Sequence, residues 1–374
     1  MAKTLEMTRR TRPLGLLIAA LGLVVVAGCG SGAATGTDLG TNVSELGGMD
    51  ALARKAKEEG RLLLYTAPRQ DVMLKWVKPF EEKYGVKVQV YRAASNQVYQ
   101  RLGQEEMTKR VKADLTIYSG RADFEDAVKK GWYDRYRPAT AARFPAGNVI
   151  PDRAYPVYAT AGAVAWNTKA VPADLQAKLR SDPFNALLDP RLKGKIVADN
   201  PLAGGTALLN FALPAVHDAR FGWPYLEKLA EQRPALVVGV GSITDSLIQG
   251  TYSASFFGTE SLFADKVLDG APVQWAYPKP TYASQFYMAI AHRSPHPYAA
   301  RLFMEWATSD EAQRSISTVS NGISLLQGWQ DERKFTEFKW YRPPNGLWYG
   351  DIDPKLRGQQ LEDFKAKWKS IFQK

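Results

Sequence analysis

The sequence has little of two residue types that often carry covalent or metal chemistry, cysteine and histidine. Cys29 is the only cysteine among 374 residues, so the chain has no internal disulfide and its rigidity must come from packed cores. The three histidines are His217, His292 and His296. The prolines on either side of His296 break the helix that would place it on one face with His292. We therefore expect no metal site.

The sequence also lacks the Gly-x-Ser-x-Gly motif of a nucleophile elbow. Acidic neighbours such as Glu125 and Asp126 fall on a predicted helix surface, where we expect them to be solvated, although a catalytic carboxylate pair stays open. A secreted hydrolase is therefore an alternative, and the main expectation is a protein that is not an enzyme and uses no cofactor.

Runs of five or six basic residues are absent, although the formal charge is +11. Residues 1–28 contain four Lys or Arg and one Glu, so the rest of the chain carries about +8. The dispersed charge favours an anionic small ligand or an anionic surface over nucleic acid. It is equally consistent with a protein that is merely basic and soluble.

The N-terminal segment has the pattern of a secretory signal. Residues 14–29 contain no charged residue, and Arg9, Arg10 and Arg12 precede them. The apolar run is short for a transmembrane helix, which takes about 20 apolar residues. It ends in Val-Ala-Gly-Cys, which resembles a bacterial lipobox and implies lipidation of Cys29. A buried apolar helix or a twin-arginine signal are the alternatives.

The next part of the chain alternates between strand and helix patterns. We predict strands at residues 61–66, 86–90 and 114–118, and helices at residues 50–59, 73–84, 97–110 and 122–130. Asp50 is the expected N-cap of the first helix. This order predicts a parallel sheet with helices on both faces, an α/β fold. Residues 155–167 form an extended run that is too long for one ordinary sheet, so it is expected to cross between two lobes.

A second α/β series follows this long run. We predict strands at residues 195–199, 235–240 and 253–257, and helices at residues 206–217, 223–232 and 243–249. Residues 273–277 are expected to lead back to the first lobe. Residues 286–291 are a further strand, Pro297 starts a helix, and residues 361–372 form an amphipathic helix.

Several stretches resemble the solute-binding proteins of bacterial ABC importers, in the group with the ferric-ion, phosphonate and thiamine binders. They are residues 57–66, 80–88, 187–196 and 295–303. The resemblance implies a two-lobed periplasmic-binding-protein-like fold of type II, with a hinge and a ligand cleft. The expected organisation is a signal peptide at 1–28, a lipid-anchored linker at 29–43, lobe 1 at 44–157 plus 278–374, and lobe 2 at 158–277.

Ligands of open α/β sheets lie at the carboxyl ends of strands, near helix N-termini. The loops at these ends and at the lobe crossings supply the candidate ligand-binding residues: Thr66, Arg69, Arg92, Ser95, Asn96, Ser119, Arg121, Gly205, Thr206, Ser242, Glu260 and Tyr282.

Each candidate also has a purely structural interpretation. Ser95 or Asn96 could only cap the next helix, and the segments around Thr206 and Ser242 could be simple turns. The three arginines could be solvated surface residues rather than bidentate anion partners. Trp166 is expected to pack in the core rather than to contact a ligand.

The ferric-ion binders of this group carry two adjacent tyrosines after the strand that matches residues 253–257. This chain contains no adjacent tyrosine pair, which puts tyrosinate binding of iron in doubt but leaves a chelated or carbonate-assisted form of ferric ion open. Glu260 stands in the matching stretch and could meet an ammonium group. The favoured cargo is therefore a small anionic or zwitterionic solute, such as a phosphonate.

The resulting expectation is an exported, outward-facing membrane lipoprotein that captures this solute by hinge closure. Its partners would be the small ligand, the subunits of an ABC permease and the membrane through its lipid anchor; we expect a monomer that binds no nucleic acid. A lipoprotein that presents its ligand to a sensory receptor is the remaining alternative.

Overall fold

The computed structural model describes residues 39–203, 207–208, 211–212, 215, 221–349 and 358–373. The predicted signal peptide, Cys29, Gly205, Thr206 and most of the predicted helix at 206–217 lie outside these residues. No helix within the described ranges is long and apolar enough to cross a membrane.

The first part of the chain has the predicted alternation of helices and strands. Gly60 and Gly85 end the first two helices in the left-handed conformation, at φ of 69° and 70°, as helix-stopping glycines do. The first helix begins one residue before Asp50, with Gly48 at its N-cap, so the carboxylate lies in the first turn instead of capping it. The elements are α1 Met49–Glu59, β1 Arg61–Thr66, α2 Gln70–Tyr84, β2 Lys87–Arg92, α3 Ser95–Met107, β3 Leu115–Ser119 and α4 Arg121–Lys129.

The strand β4, Ala154–Asn167, is buried along its whole length. Its first part pairs with β10, Tyr282–Ile290, up to Ala161, and its last part pairs with β9, Val273–Ala276. One strand therefore belongs to two sheet regions. This explains its unusual length and its continuous apolar sequence, because neither face reaches solvent in either region.

The second part of the chain surrounds the end of β4. Three of its strands lie where strands are predicted, although β6 ends at Val237 and not at residue 240, and β8 is not predicted. Helices α5, α6 and α9 are not predicted either. In α9 the polar Glu260 and Ser261 are buried and Leu268 is exposed, so its sequence has little amphipathic pattern. The elements are α5 Ala173–Ser181, α6 Pro183–Leu187, β5 Ile196–Asp199, α7 Trp223–Glu231, β6 Ala235–Val237, α8 Val240–Ile248, β7 Ala254–Phe256, β8 Gly258–Thr259 and α9 Glu260–Leu268.

The chain then returns to the first sheet region through β10 and ends in helices. Pro297 begins a helix as predicted, and the helix that follows it was not predicted. The elements are α10 Pro297–Ala307, α11 Asp310–Ser320, β11 Trp348–Tyr349 and α12 Gly358–Phe372.

The strand order is β2-β1-β3-β10-β4-β7-β5-β6, and β8 and β9 also pair with β4. We call β2, β1, β3, β10 and the first part of β4 the first half-sheet. The last part of β4 with β9, β7, β5 and β6 is the second half-sheet. Each half-sheet has hydrophobic cores of its own; Trp76 and Trp306 pack in one of the first, and Trp166 in one of the second.

The C-terminal helix α12 packs on the second half-sheet. Phe364 and Trp368 are buried in the same cluster as Trp166, and the Trp368 ring meets Phe211 edge-on at 5.9 Å between centroids. The sequence analysis assigns residues 278–374 to lobe 1, whereas α12 packs on the second half-sheet. An amphipathic pattern identifies the apolar face of a helix but not the core that receives it.

Candidate ligand-binding cleft

The strand directions bring two sets of loops together. β1, β2 and β3 are parallel to one another, and β10 is antiparallel to both β3 and β4. β4 therefore runs in the same direction as β3. β7 is antiparallel to β4 and parallel to β5, and β5 is parallel to β6. The carboxyl ends of the two half-sheets thus point toward each other across the middle of β4, the geometry of a ligand cleft.

Five helices begin at these facing edges without a side-chain N-cap: α2, α3, α4, α8 and α9. Uncapped helix starts present unpaired N–H groups and the positive end of the helix dipole, which suits an anion. Helices α1, α5 and α7 also start without a side-chain N-cap. What distinguishes the cleft is that five such helix starts converge on it.

Two predicted serines lie in contact at the carboxyl ends of β2 and β3. The Ser95 and Ser119 hydroxyls are 3.1 Å apart, and the Ser119 N–H donates to Ser95 Oγ at 3.3 Å. Ala94, not Ser95, is the N-cap of α3, and its N–H donates to the side chain of Gln97 at 3.1 Å. Ser95 therefore has its hydroxyl free of capping, and both hydroxyls remain half-buried at the cleft edge. Asn96 is exposed beside them.

The three predicted arginines differ in how they are held. Arg92 is exposed at the end of β2. Arg121 donates to Glu125 at 2.7 Å and to the Gly147 carbonyl at 2.9 Å, which fixes its position. Arg69 is likewise engaged by protein carboxylates, as described below. Arg92 is thus the arginine with the most freedom to approach a ligand.

Buried polar atoms mark the edge of the first half-sheet. The Thr66 hydroxyl has no hydrogen-bond partner among the described residues, although the residue is fully buried at the end of β1. Gln285, which the sequence interpretation did not select, is also fully buried, and one end of its amide lacks a partner. Its other end contacts the Tyr287 hydroxyl at 2.9 Å. The sequence signal that could have identified Gln285 is a glutamine within an otherwise apolar strand, because buried polar groups normally need partners.

The remaining predicted residues within the described ranges, Glu260 and Tyr282, are less accessible than Ser242. Ser242 is exposed on α8 and donates to the Val238 carbonyl at 3.3 Å. Tyr282 is 1% exposed and packs between the Phe257 and Trp348 rings, so it lies in the core beside the crossing.

Glu260 is fully buried and tied to other protein groups. Arg333 donates to one carboxylate oxygen at 3.0 Å, and the Tyr277 hydroxyl donates to the other. Burial raises the pKa of the Glu260 carboxyl, and Arg333 opposes that rise. Because both oxygens already have partners, this arrangement does not favour the predicted contact between Glu260 and a ligand ammonium group.

The two C-terminal histidines pair with different aspartates. His292 Nδ1 is 2.9 Å from Asp134, and His296 Nδ1 is 2.9 Å from the buried Asp114. Within the described ranges there is no group of three or more His, Cys, Asp and Glu placed to hold a metal ion. Both histidines are therefore engaged in structural contacts with aspartates.

Comparison with known families assigns the chain to a class. The family model of bacterial extracellular solute-binding proteins matches residues 62–318, and the chain belongs to this family. Membership of this family indicates the general function, that of the solute-binding component of an ABC transport system. A comparison with curated proteins finds no match.

Solved structures support the same fold. The periplasmic binding protein AfuA from Actinobacillus pleuropneumoniae, with fructose-6-phosphate bound, is 20% identical, with a TM-score of 0.64 over 84% of this chain and 99% of that one. Iron-bound HitA from Pseudomonas aeruginosa is 16% identical, with a TM-score of 0.66 over 83% and 99%. The substrate-binding protein of an ABC transporter from Agrobacterium tumefaciens is 13% identical, with a TM-score of 0.70 over 83% and 94%. The expected two-lobed type II fold is confirmed.

Proposed function

We propose that this protein captures a small anionic solute, of the phosphonate or phosphate-ester type, and delivers it to a membrane permease. The convergence of five uncapped helix starts on the facing strand ends is the observation that supports it most. Hinge closure would bring the two sets of N–H groups onto one ligand, and contacts made only in the closed form would shift the population toward it.

The polar groups at the cleft edge favour an anion over a zwitterion. Arg92 is exposed, and the paired hydroxyls of Ser95 and Ser119 can donate to phosphate oxygens. Glu260, the carboxylate that would have met an ammonium group, already pairs with Arg333. A zwitterionic aminophosphonate remains within the proposed class through its anionic group.

The proposal includes export and anchoring. Cys29 follows the apolar segment as the lipid acceptor would, and residues 29–43 would tether the two lobes to the membrane. Mass measurement of the membrane-extracted protein should find an acylated N-terminus at Cys29, and Cys29→Ala should release the protein from the membrane. An unmodified N-terminus on the membrane-bound protein would remove this part of the proposal.

The solute class is tested by a binding screen. Thermal unfolding is followed with 2-aminoethylphosphonate, fructose-6-phosphate, inorganic phosphate, ferric citrate and neutral fructose. A true ligand at 100 times its dissociation constant adds about 2.7 kcal/mol of stability. We expect a phosphorus-containing anion to raise the unfolding temperature and neutral fructose to have no effect. A shift with ferric citrate alone would favour the ferric-chelate alternative and overturn the phosphonate class.

A pair of variants tests the site. Arg92→Gln should weaken binding of the identified anion by about tenfold or more, since a hydrogen bond to a charged group contributes about 1.5–3 kcal/mol. Arg314→Gln is the matched control, because Arg314 is an exposed arginine on α11. Equal affinities for the two variants would remove Arg92 from the site.

A further inference from the structure

Asp265 connects the two half-sheets through both of its carboxylate oxygens. Arg69 Nη1 donates to Oδ2, and the Asn321 side-chain amide donates to Oδ1 at 2.6 Å. Asp265 lies in α9, whose Phe263 and Val267 pack in a core of the second half-sheet. Both oxygens of the Asp265 carboxylate are thus bound by donors from outside α9.

Only one of the two donors belongs wholly to the first half-sheet. Arg69 is the N-cap of α2, whose apolar face includes Trp76 in the first core. Asn321 lies where the two bodies meet: it directly follows α11, whose Ile316 packs in the first core, and Ile323 packs in the core that holds α9. The Arg69–Asp265 contact therefore runs between two separately packed bodies.

Arg69 is oriented for this contact by its own lobe. Its Nε and Nη2 atoms donate to the two oxygens of Asp71 at 3.1 and 2.6 Å, which leaves Nη1 for Asp265. Such a two-point contact fixes the plane of the guanidinium group. Asn321 is held from the other side, because its carbonyl accepts from Arg333 at 2.9 Å.

We propose that Arg69 and Asp265 form a latch that favours the closed form of the lobes before any solute binds, with Asn321 orienting the Asp265 carboxylate from the junction. The latch positions the two lobes relative to each other. Asp265 does not contact the ligand; it sets the fraction of molecules in the closed, binding-competent form. The apparent dissociation constant equals the intrinsic one divided by that fraction, so the latch sets the affinity for any cargo.

The latch is weak enough to open. The side chains of Arg69 and Asp265 are 45% and 27% exposed, and pairs with this degree of exposure shift an equilibrium by about two- to fivefold. Salt screens such a pair, so the closed fraction should fall as ionic strength rises. A contact of this size biases the two forms without locking either.

The test measures lobe distance in the protein without solute. Spin labels are placed on Lys75→Cys in α2 and Lys228→Cys in α7, both exposed, in a Cys29→Ser background that carries no other cysteine. Asp265→Asn removes the charge and keeps the shape. We expect its distance distribution to move toward longer separations, with the closed-to-open ratio falling about two- to fivefold.

Asp269→Asn is the matched control, since Asp269 ends the same helix at an exposed position and should leave the distribution unchanged. Raising NaCl from about 50 mM to about 1 M should move the native distribution in the same direction but leave that of Asp265→Asn unaltered. Distributions that coincide for the native protein and Asp265→Asn, or an equal salt response in both, would overturn the latch. Because no solute is present, neither outcome depends on the proposed ligand class.

Discussion

The buried ion pair between Glu260 and Arg333 allows a quantitative prediction about stability. Their side chains are 0% and 2% exposed, and the pair connects α9 to the segment after α11. Arg333 has a second partner, Asp331 at 2.6 Å, whereas within the described part of the chain the oxygens of Glu260 have only Arg333 and Tyr277 as partners. The two partners should therefore respond unequally to removal of the other.

Arg333→Met should be the more harmful change. It leaves a fully buried carboxylate without a cation, and breaking a buried pair in this way costs about 3–5 kcal/mol. Glu260→Gln should cost about 1–3 kcal/mol, because the amide oxygen still accepts a hydrogen bond and Arg333 keeps Asp331.

The pH dependence of the free energy of unfolding provides an independent test of the same reasoning. In Arg333→Met the burial that raises the pKa of Glu260 is opposed only by the hydrogen bond from Tyr277 and no longer by a cation. A carboxyl with a raised pKa in the folded state contributes stability that is present below its unfolded pKa and lost as pH rises through the folded value. The stability deficit of Arg333→Met should accordingly shrink when the pH is lowered from about 8 to about 5.

Urea unfolding at several pH values measures both effects. Arg314→Met is the matched control, since Arg314 and Glu332 form an exposed pair at 3.7 Å that should contribute no more than about 1 kcal/mol. The reasoning fails if Arg333→Met costs no more than this control. It also fails if the deficit of Arg333→Met is independent of pH.

Three further predictions concern other parts of the fold. Asp114 raises the pKa of His296, so the stability from this pair should be present below about pH 6.5 and lost as pH rises through the higher folded value; His296→Gln should flatten that decline in urea titrations. Gly322→Ala should cost about 1–3 kcal/mol in urea unfolding, because the new Cβ would lie 2.4 Å from the Tyr158 ring. Trp368→Ala should cost about 3–5 kcal/mol and expose α12 to proteolysis, since this ring is fully buried.

A matched control variant is available for each of these three predictions. His292→Gln removes the other histidine–aspartate contact, in which the histidine is 40% exposed, and serves as the control for His296→Gln. Gly147→Ala adds a Cβ with no atom within 4 Å and should be neutral. Phe372→Ala truncates a less buried ring on α12 and should cost less than Trp368→Ala. An effect of the control as large as that of its partner would contradict the corresponding prediction.

Local patterns predicted most of the fold. β1 was placed from its continuous apolar run, and the buried strand β4 from its length and composition. The helices α5 and α9 are not predicted because their apolar patterns are weak: α5 buries only Leu175 and Leu179, and α9 buries Glu260 while Leu268 is exposed. The crossing of β4 between two sheet regions was predicted because the run exceeds an ordinary strand.

The site was predicted less well because its contacts are distant in sequence. Glu260 looked like a cleft carboxylate because its partner Arg333 lies 73 residues away and no local pattern pairs them. Arg69 meets Asp265 across 196 residues. The loops at strand ends can be located from the sequence, but the partners that occupy their charged side chains depend on tertiary packing.

The position of β10 between β3 and β4 has a consequence for how the chain can fold. β3 ends at Ser119 and β4 begins at Ala154, yet both edges stay unpaired until a strand that ends at Ile290 reaches them. A nascent chain that has emerged only to the end of β9 thus presents two exposed strand edges, and such edges promote aggregation. Strands β1, β2 and β3 pair with one another, but the first half-sheet is complete only once β10 has been added.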